Sequence, residues 1–586
     1  MASHGYTDEK NVETIIAALK AHGIKKIVAS PGTMNITFIG SVQYDPYFEV
    51  YSAADERSAA YIACGISAAS NNEPVVLTCT GATASRNYIP GLTEAYYRKL
   101  PIAVIVPIVG LGKINQNIPQ IIDRSVEQKD TFVKNTYLPY VHDDDGQLEC
   151  GMMVNDSLAE LRHNGGGPVL ISYETKVSSD FSKKTLPAIS KLERYYYGDS
   201  MPDVPPNKKV GVLVGNHARW TKRLTGMVDD FCEKYNAVVL CDATSNFHGK
   251  YRIDASLVAT QKGDESPCQQ MDILIDIGNI SGAYLTLRPK ESWRVCEDGA
   301  AKNRSYNLTK VFQMSETKFF EFYVKKNLGG ANSSLSYYND WLSTDKTLRS
   351  KISDSNIPFS NVWMARQIVN MVPTGANVYL GILNTLRSWN LTETKSVDCM
   401  FYSNTGGFGI DGTLSSGLGV SLAEQDKLCF VLCGDLAFFY DMNALGNRHV
   451  GKNLRIMVVN NGKGTEFRNY FHPASRFGDD ANCFMAAAGH YGNSSSELVK
   501  DYAENLGFRY ISASNKEEFL SQAAIFMDNN IADSPMVFEV FTKSKDESDA
   551  LEYILQLNDS FKTKIKGKAK NLLGDRVKTK LKKVLK

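Results

Sequence analysis

The run FVLCGDLAFFYDMNALGNRHVGKNLRIMVVNNG, residues 430–462, places two unbroken apolar stretches on either side of a helix-length segment. Stretches that are apolar at every position predict strands buried on both faces of a parallel sheet, with the intervening segment as the crossover helix. The first stretch ends at Gly434 and Asp435, the second at Asn460 and Asn461. A carboxylate at one strand end and a carboxamide at the next, about 25 residues later, can converge on one Mg²⁺ at the carboxyl edge of the sheet, where α/β proteins bind diphosphates. An ordinary βαβ crossover with an acidic loop shares the pattern, so the run alone leaves both readings open.

The rest of the chain extends this α/β reading. Apolar strand-like runs alternate with amphipathic helical runs: NVETIIAALKAHG (helix), KIVAS, FEVYSAA, PVVLTCT and IAVIVPIV (strands), closing with GGPVLISYE near residue 173. The proline-bearing stretch Thr185–Pro206 has no repeating apolar pattern and reads as a linker. A second α/β unit follows (KVGVLVG, AVVLCDA, DILIDIG, WRVCEDG); its GNISG is not a GxGxxG loop, so a flavin or nicotinamide is not expected. Residues 330–356 are polar and read as a second connection. The expected domains are therefore 1–185, 207–330 and 357–545.

A chain of 586 residues, 43% apolar and of net charge +1, exceeds one hydrophobic core and suits this division. It has no run of about 18 uncharged apolar residues to span a membrane, and MASHGYTDEKNVE is polar where a secretory leader would be apolar. Eleven scattered cysteines without a CxxC pair, several inside apolar runs, suit reduced buried thiols and a cytoplasmic location. The balanced charge hides an asymmetry. From Phe561 onward eleven Lys/Arg face one Asp, and within residues 551–586 Leu573, Val577, Leu581, Val584 and Leu585 recur at helical spacing. Such a tail suits peripheral contact with anionic lipid at the inner face of a membrane, or an acidic partner, and equally a solvated extension. Nucleic acid is not expected, since no aromatic platform accompanies the charge.

A second element bears on the metal pattern. In SAADERSAAYIACG, residues 52–65, Glu56 follows a short apolar run and opens a helix. Alone it reads as a solvated first-turn glutamate. Together with the Asp435/Asn461 pattern it resembles the thiamine diphosphate (ThDP) enzymes, which carry there the glutamate facing N1′ of the cofactor's aminopyrimidine. Proton exchange at that nitrogen drives deprotonation of the thiazolium C2. SPG at 30–32, DER at 55–57, NQ at Asn115 and Gln116, and YSNTGGFGIDG at 402–412 followed by GDLAFFYDMNAL narrow the likeness. Within the superfamily the chain most resembles the menaquinone-pathway carboligases that make 2-succinyl-5-enolpyruvyl-6-hydroxy-3-cyclohexene-1-carboxylate.

The resemblance implies three doubly wound parallel-sheet domains: pyrimidine-binding, central and diphosphate-binding. It implies a homodimer or homotetramer with active sites at subunit interfaces. Asp435, Asn461 and the backbone carbonyl of Lys463 would hold Mg²⁺. Gly407, Gly409, Ile410, Asp411, Gly434 and Leu436 would line the cofactor, and Asn115 and Gln116 would orient the substrate at the reacting carbon. The small-molecule substrates would be a 2-oxo acid, which loses CO₂, and an acceptor of its acyl unit.

Departures from the subgroup bear on the substrate. Met34 and Thr405 stand where the subgroup has arginines that grip substrate carboxylates, and Glu466 stands in NNGKGTEF in place of an apolar residue. A carboxylate at 466 would repel a dicarboxylate acceptor, which suggests a carboligase with a different acceptor, in work such as cell-surface polysaccharide assembly. Glu466 also suggests an alternative: a 2-oxo acid decarboxylase releasing aldehyde, with Glu466 moving the proton. The genuine menaquinone-pathway reaction remains a further alternative if arginines come from elsewhere, for example Arg86, Arg98, Arg124 or Arg387.

Overall fold

The computed structural model describes residues 5–205, 207–263, 265–326, 335–394, 398–490 and 495–558. The basic tail expected at 551–586 lies outside them from residue 559 on. The chain forms three parallel sheets, of six, seven and six strands, as the α/β reading predicts. It divides into two compact units, residues 1–199 with 292–313, and residues 200–291 with 314–586.

The first unit holds the N-terminal sheet, β1 (Lys26–Ala29), β2 (Glu49–Ser52), β3 (Val75–Thr78), β4 (Ile102–Ile108), β5 (Lys134–Leu138) and β6 (Val169–Glu174). Their order is β2-β1-β3-β4-β6-β5. The reversal of strand order between β1 and β3 leaves a crevice at the carboxyl edge. β3 and β4 are buried almost throughout because helices cover both faces. Helix Lys10–Ala21 contributes Val12, Ile15, Ile16 and Leu19 to one side, and helix Glu56–Ala69 contributes Ala59, Ala60 and Ala63 to the other. The same unit corrects the linker reading. Residues Glu193–Tyr196 form a strand, β7, and Tyr195 stacks on Phe312 with ring centroids 5.2 Å apart. β7 pairs in parallel with the later strand Leu308–Gln313. It is a short edge strand without an apolar run, so its pattern did not stand out.

In the second unit β8 (Val210–Val214), β9 (Ala237–Cys241), β10 (Arg252–Asp254) and β11 (Gln270–Ile277) are mutually parallel in the order β10-β9-β8-β11. Strand Leu308–Gln313 (β13) belongs to the first unit, and Arg288–Cys296 (β12) begins in the second and continues in the first. The C-terminal sheet contains β14 (Asn377–Leu380), β15 (Met400–Tyr402), β16 (Cys429–Gly434), β17 (Leu454–Asn460), β18 (Arg509–Ala513) and β19 (Met536–Phe541), ordered β15-β14-β16-β17-β19-β18. The polar stretch read as a second connection contains a helix, Ser336–Ser350, which buries Tyr337, Trp341 and Leu348 along one stripe. Three apolar residues among fifteen suffice because the stripe is a narrow helical face. Helix Ser544–Leu555 likewise runs past residue 551 and packs Ala550, Leu551, Ile554 and Leu555 into the core.

All eleven cysteines are free; nine are buried, Cys296 is partly exposed and Cys483 is exposed. Among the described residues no helix is long and apolar enough to cross a membrane.

Candidate functional site

Three loops of the second unit leave the carboxyl edge of one sheet. Residues 403–412 follow β15, Asp435 follows β16, and Asn461 follows β17. β16 and β17 are adjacent, with Gly434 in register with Val459, so the sheet itself brings the loops bearing Asp435 and Asn461 side by side. They are also tied directly. The backbone N–H of Gly462 donates to Asp435 Oδ2 at 2.6 Å, and the N–H of Leu436 donates to Asp435 Oδ1 at 2.8 Å. Asn461 Oδ1 accepts from Thr465 Oγ1 at 2.6 Å, which fixes its carboxamide. The neighbouring Asn460 donates from Nδ2 to Glu539 Oε1 at 2.7 Å, and its Oδ1 accepts from the same Gly462 N–H at 3.2 Å.

Asp435 is 4% exposed, and burial pushes its carboxyl up to about 6 in spite of the N–H donors around it. A buried carboxylate in that condition lacks a cation. The donor set here is one carboxylate, one carboxamide and backbone oxygen, the hard ligands that Mg²⁺ takes while keeping water and phosphate oxygens. Among the described residues no three His, Cys, Asp or Glu side chains gather as a metal cage; a site shared with a diphosphate does not require one.

The glycines fit a diphosphate as well. A Cβ added at Gly434 or Gly407 would meet no protein atom within 4 Å. No protein neighbour therefore demands glycine at these positions, and the open space in front of the backbone suits a bound group. Gly409 differs, since a Cβ there would lie 2.4 Å from Asp411 Oδ1. Gly412 has φ +86° and begins the turn into helix Thr413–Ala423. Ile410 and Leu436 are partly exposed, and Lys463 follows Gly462 in the same loop with its Nζ 3.3 Å from Asn482 Oδ1. These residues could hold ThDP and Mg²⁺ against one sheet edge.

Glu466 has partners that the sequence could not reveal. Arg387 clasps it bidentately, Nη1 to Oε2 at 2.6 Å and Nη2 to Oε1 at 2.9 Å, and Asn469 Nδ2 donates to Oε2 at 3.0 Å. The carboxylate charge is therefore cancelled locally, which corrects the expectation that residue 466 presents a free repelling charge. Arg387 sits on helix Asn384–Asn390 after β14, with Phe471 5.3 Å from its guanidinium carbon. Arg387, Glu466, Phe408 and Phe471 line a cavity of about 490 Å³ together with Lys262 and Tyr284.

In the first unit, Glu56 is the first residue of its helix, just beyond the carboxyl end of edge strand β2. Asp55 caps that helix by accepting from Ser58 N at 2.7 Å, which leaves Glu56 free of a capping role. Glu56 Oε2 accepts from Asn87 Nδ2 at 3.3 Å. Asn115 and Gln116 lie exposed in the loop after β4, Asn115 with φ +61°. Met34 lines a separate cavity of this unit. Sequence reading missed Thr465, Gly462 and Arg387 as partners of the expected residues. Thr465, four residues after Asn461, was within reach of a local pattern; Arg387, 79 residues from Glu466, was not.

Comparison with known proteins identifies the family. Residues 10–127 match the model of the thiamine pyrophosphate enzyme N-terminal TPP-binding domain. A curated relative from Bacteroides thetaiotaomicron, 2-succinyl-5-enolpyruvyl-6-hydroxy-3-cyclohexene-1-carboxylate synthase, is 30% identical over 94% of this chain and 99% of its own. Its counterpart from Bacteroides fragilis is 29% identical over 94% of this chain and 100% of its own. A solved structure, the Rhodococcus jostii RHA1 thiamine diphosphate-dependent 4-hydroxybenzoylformate decarboxylase, aligns over 91% of the chain at 16% identity, with a TM-score of 0.38, too loosely to bear on the site. By its full-length relationship to these synthases, the chain belongs to the family of the ThDP-dependent enzyme 2-succinyl-5-enolpyruvyl-6-hydroxy-3-cyclohexene-1-carboxylate synthase.

Proposed function

We propose that this protein is a ThDP- and Mg²⁺-dependent carboligase that decarboxylates a 2-oxo acid and passes the acyl unit to an acceptor less anionic than a dicarboxylate. When bound, ThDP would supply a nucleophilic carbon and, in its thiazolium ring, an electron sink for loss of CO₂. Asp435, Asn461 and the Lys463 carbonyl hold the metal. Gly434, Leu436 and the loop bearing Gly407, Gly409, Ile410 and Asp411 flank the diphosphate. Glu56 exchanges a proton with the pyrimidine nitrogen, and Asn115 and Gln116 orient the substrate. Active sites that need both Glu56 and the Asp435 cradle fit a homo-oligomer, a dimer or a tetramer.

One observation carries the acceptor assignment: the guanidinium of Arg387 is already committed to Glu466 on both sides. That pairing occupies the end-on Nη1/Nη2 fork of Arg387, so a substrate carboxylate would have to compete with Glu466 for it. Met34 and Thr405 offer no replacement charge at their positions. Glu466 in turn is tied to Arg387 and Asn469, a pairing that favours its carboxylate form and argues for ligation over proton donation and aldehyde release. Glu466→Gln would release Arg387. That variant is expected to lower the KM for a dicarboxylate acceptor about tenfold while changing the KM for a neutral acceptor little. Steady-state ligation assays with paired neutral and dicarboxylate acceptors check this; equal change for both would remove Glu466 from acceptor choice.

A second reading is the synthase reaction itself, favoured by 30% identity over nearly the whole length of both chains. Growth of a menaquinone auxotroph carrying this chain supports that reading, and failure to grow despite soluble expression supports the first. The suggested role in polysaccharide assembly rested on the basic tail, which lies outside the described residues.

A further inference from the structure

A cavity of about 480 Å³ opens among the strand ends of the first unit. Its wall is mostly apolar, with Met34, Pro107, Ile108, Ile118 and Ile122, and two cations, Lys113 and Arg124, also line it. The Arg124 side chain is only 9% exposed. Its nearest anion, Glu127 Oε1, stands 3.6 Å from Nη1, beyond a normal hydrogen bond. Nε and Nη2 are buried, with no hydrogen-bond partner among the described residues. The unpartnered edge of the guanidinium is therefore the Nε/Nη2 side, whose parallel N–H groups match the two oxygens of a carboxylate.

An arginine desolvated in this way is costly unless an anion completes it. Burial lowers the Arg124 pKa from its ordinary value and raises that of the Glu127 carboxyl, each partly offset by the other's charge. Arg86 adds a second positive charge nearby, its Nη2 donating to the carbonyl of Asp123 at 3.1 Å. Ser172 Oγ, also buried without a partner, offers a further polar contact on the cavity wall. Met34 lines the same cavity, at the position where the resembled enzymes carry a carboxylate-gripping arginine.

We propose that Arg124 binds the carboxylate of the 2-oxo acid in this cavity, supplying the charge that Met34 does not. The apolar wall selects a 2-oxo acid with an uncharged body over one with a second carboxylate. This rests on the 2-oxo acid reading above, and a binding readout that needs no turnover separates the two.

The test uses the full-length protein without ThDP, titrated calorimetrically with pyruvate, 4-methyl-2-oxopentanoate, 2-oxoglutarate and inorganic phosphate. Wild type is expected to bind the uncharged-bodied acids more tightly than 2-oxoglutarate or phosphate. Arg124→Gln is expected to weaken their binding about 10- to 100-fold. Binding of ThDP with Mg²⁺ should be unaltered, which shows that the variant is folded, and Met34→Arg added to Arg124→Gln should restore part of the 2-oxo acid affinity. In turnover the loss should appear in KM far more than in kcat. Wild-type 2-oxo acid affinity in Arg124→Gln overturns the proposal, as does tighter Arg124-dependent binding of phosphate than of any 2-oxo acid. If wild type binds no ThDP, the carboligase reading falls, whereas the Arg124-dependent anion titration is still decided on its own result.

Discussion

Replacing Glu56 by glutamine should lower turnover by about 10²- to 10⁴-fold while leaving the affinity for ThDP and Mg²⁺ close to that of wild type. The separation follows from what Glu56 touches. It does not cap its helix, because Asp55 does, and it accepts one hydrogen bond, from Asn87 at 3.3 Å, which a glutamine oxygen accepts equally. Glutamine preserves size and that contact but cannot give or take a proton. Single-turnover CO₂ release combined with calorimetric ThDP binding resolves the two effects. Wild-type turnover in Glu56→Gln would remove Glu56 from the chemistry, and loss of cofactor binding with an unchanged fold would make it a binding residue.

Asp435→Asn should reduce the Mg²⁺-dependent affinity for ThDP by on the order of 100-fold or more, since it removes the anionic side chain from the proposed ligand set. The pH dependence supplies an internal control. The wild-type carboxyl, pushed up to about 6 by burial, must lose its proton to hold the metal, so metal-supported binding weakens as pH falls through about 6. The asparagine variant should show no such dependence. Stability should move the other way. Because the folded pKa lies above the unfolded one, the metal-free wild type loses stability as pH rises through about 6. Asp435→Asn should therefore melt at a higher temperature than metal-free wild type at pH 8, and at nearly the same temperature at pH 4. A residue that destabilises the empty protein yet strengthens it when loaded fits a binding role.

The legibility of this chain followed from burial. β3, β4, β16 and β17 lie in sheet interiors, covered on both faces, and such strands are written as continuous apolar runs. β5 and β7 are sheet-edge strands with polar and partly exposed positions, so Lys134–Leu138 and Glu193–Tyr196 carry no such run. Helix Ser336–Ser350 was hidden for a related reason: its buried stripe is Tyr337, Trp341 and Leu348 amid polar residues. At the site, Asp435 and Asn461 could be read because adjacent parallel strands fix where their loops emerge. The Arg387–Glu466 clasp and the unpartnered edge of Arg124 could not, because each depends on side chains meeting across elements distant in sequence. Sequence reading reached the cofactor chemistry, which is anchored to strand ends, and stopped at the substrate, which is anchored to side-chain pairing.

The most direct test of the whole account is CO₂ release by the purified protein with ThDP and Mg²⁺, measured across a panel of 2-oxo acids with and without neutral and dicarboxylate acceptors. The account predicts release that requires both ThDP and Mg²⁺, disappears in Glu56→Gln, and yields a carbon–carbon bonded product when a suitable acceptor is present. Release of CO₂ in the absence of ThDP and Mg²⁺, or no binding of ThDP to a folded protein, would contradict it.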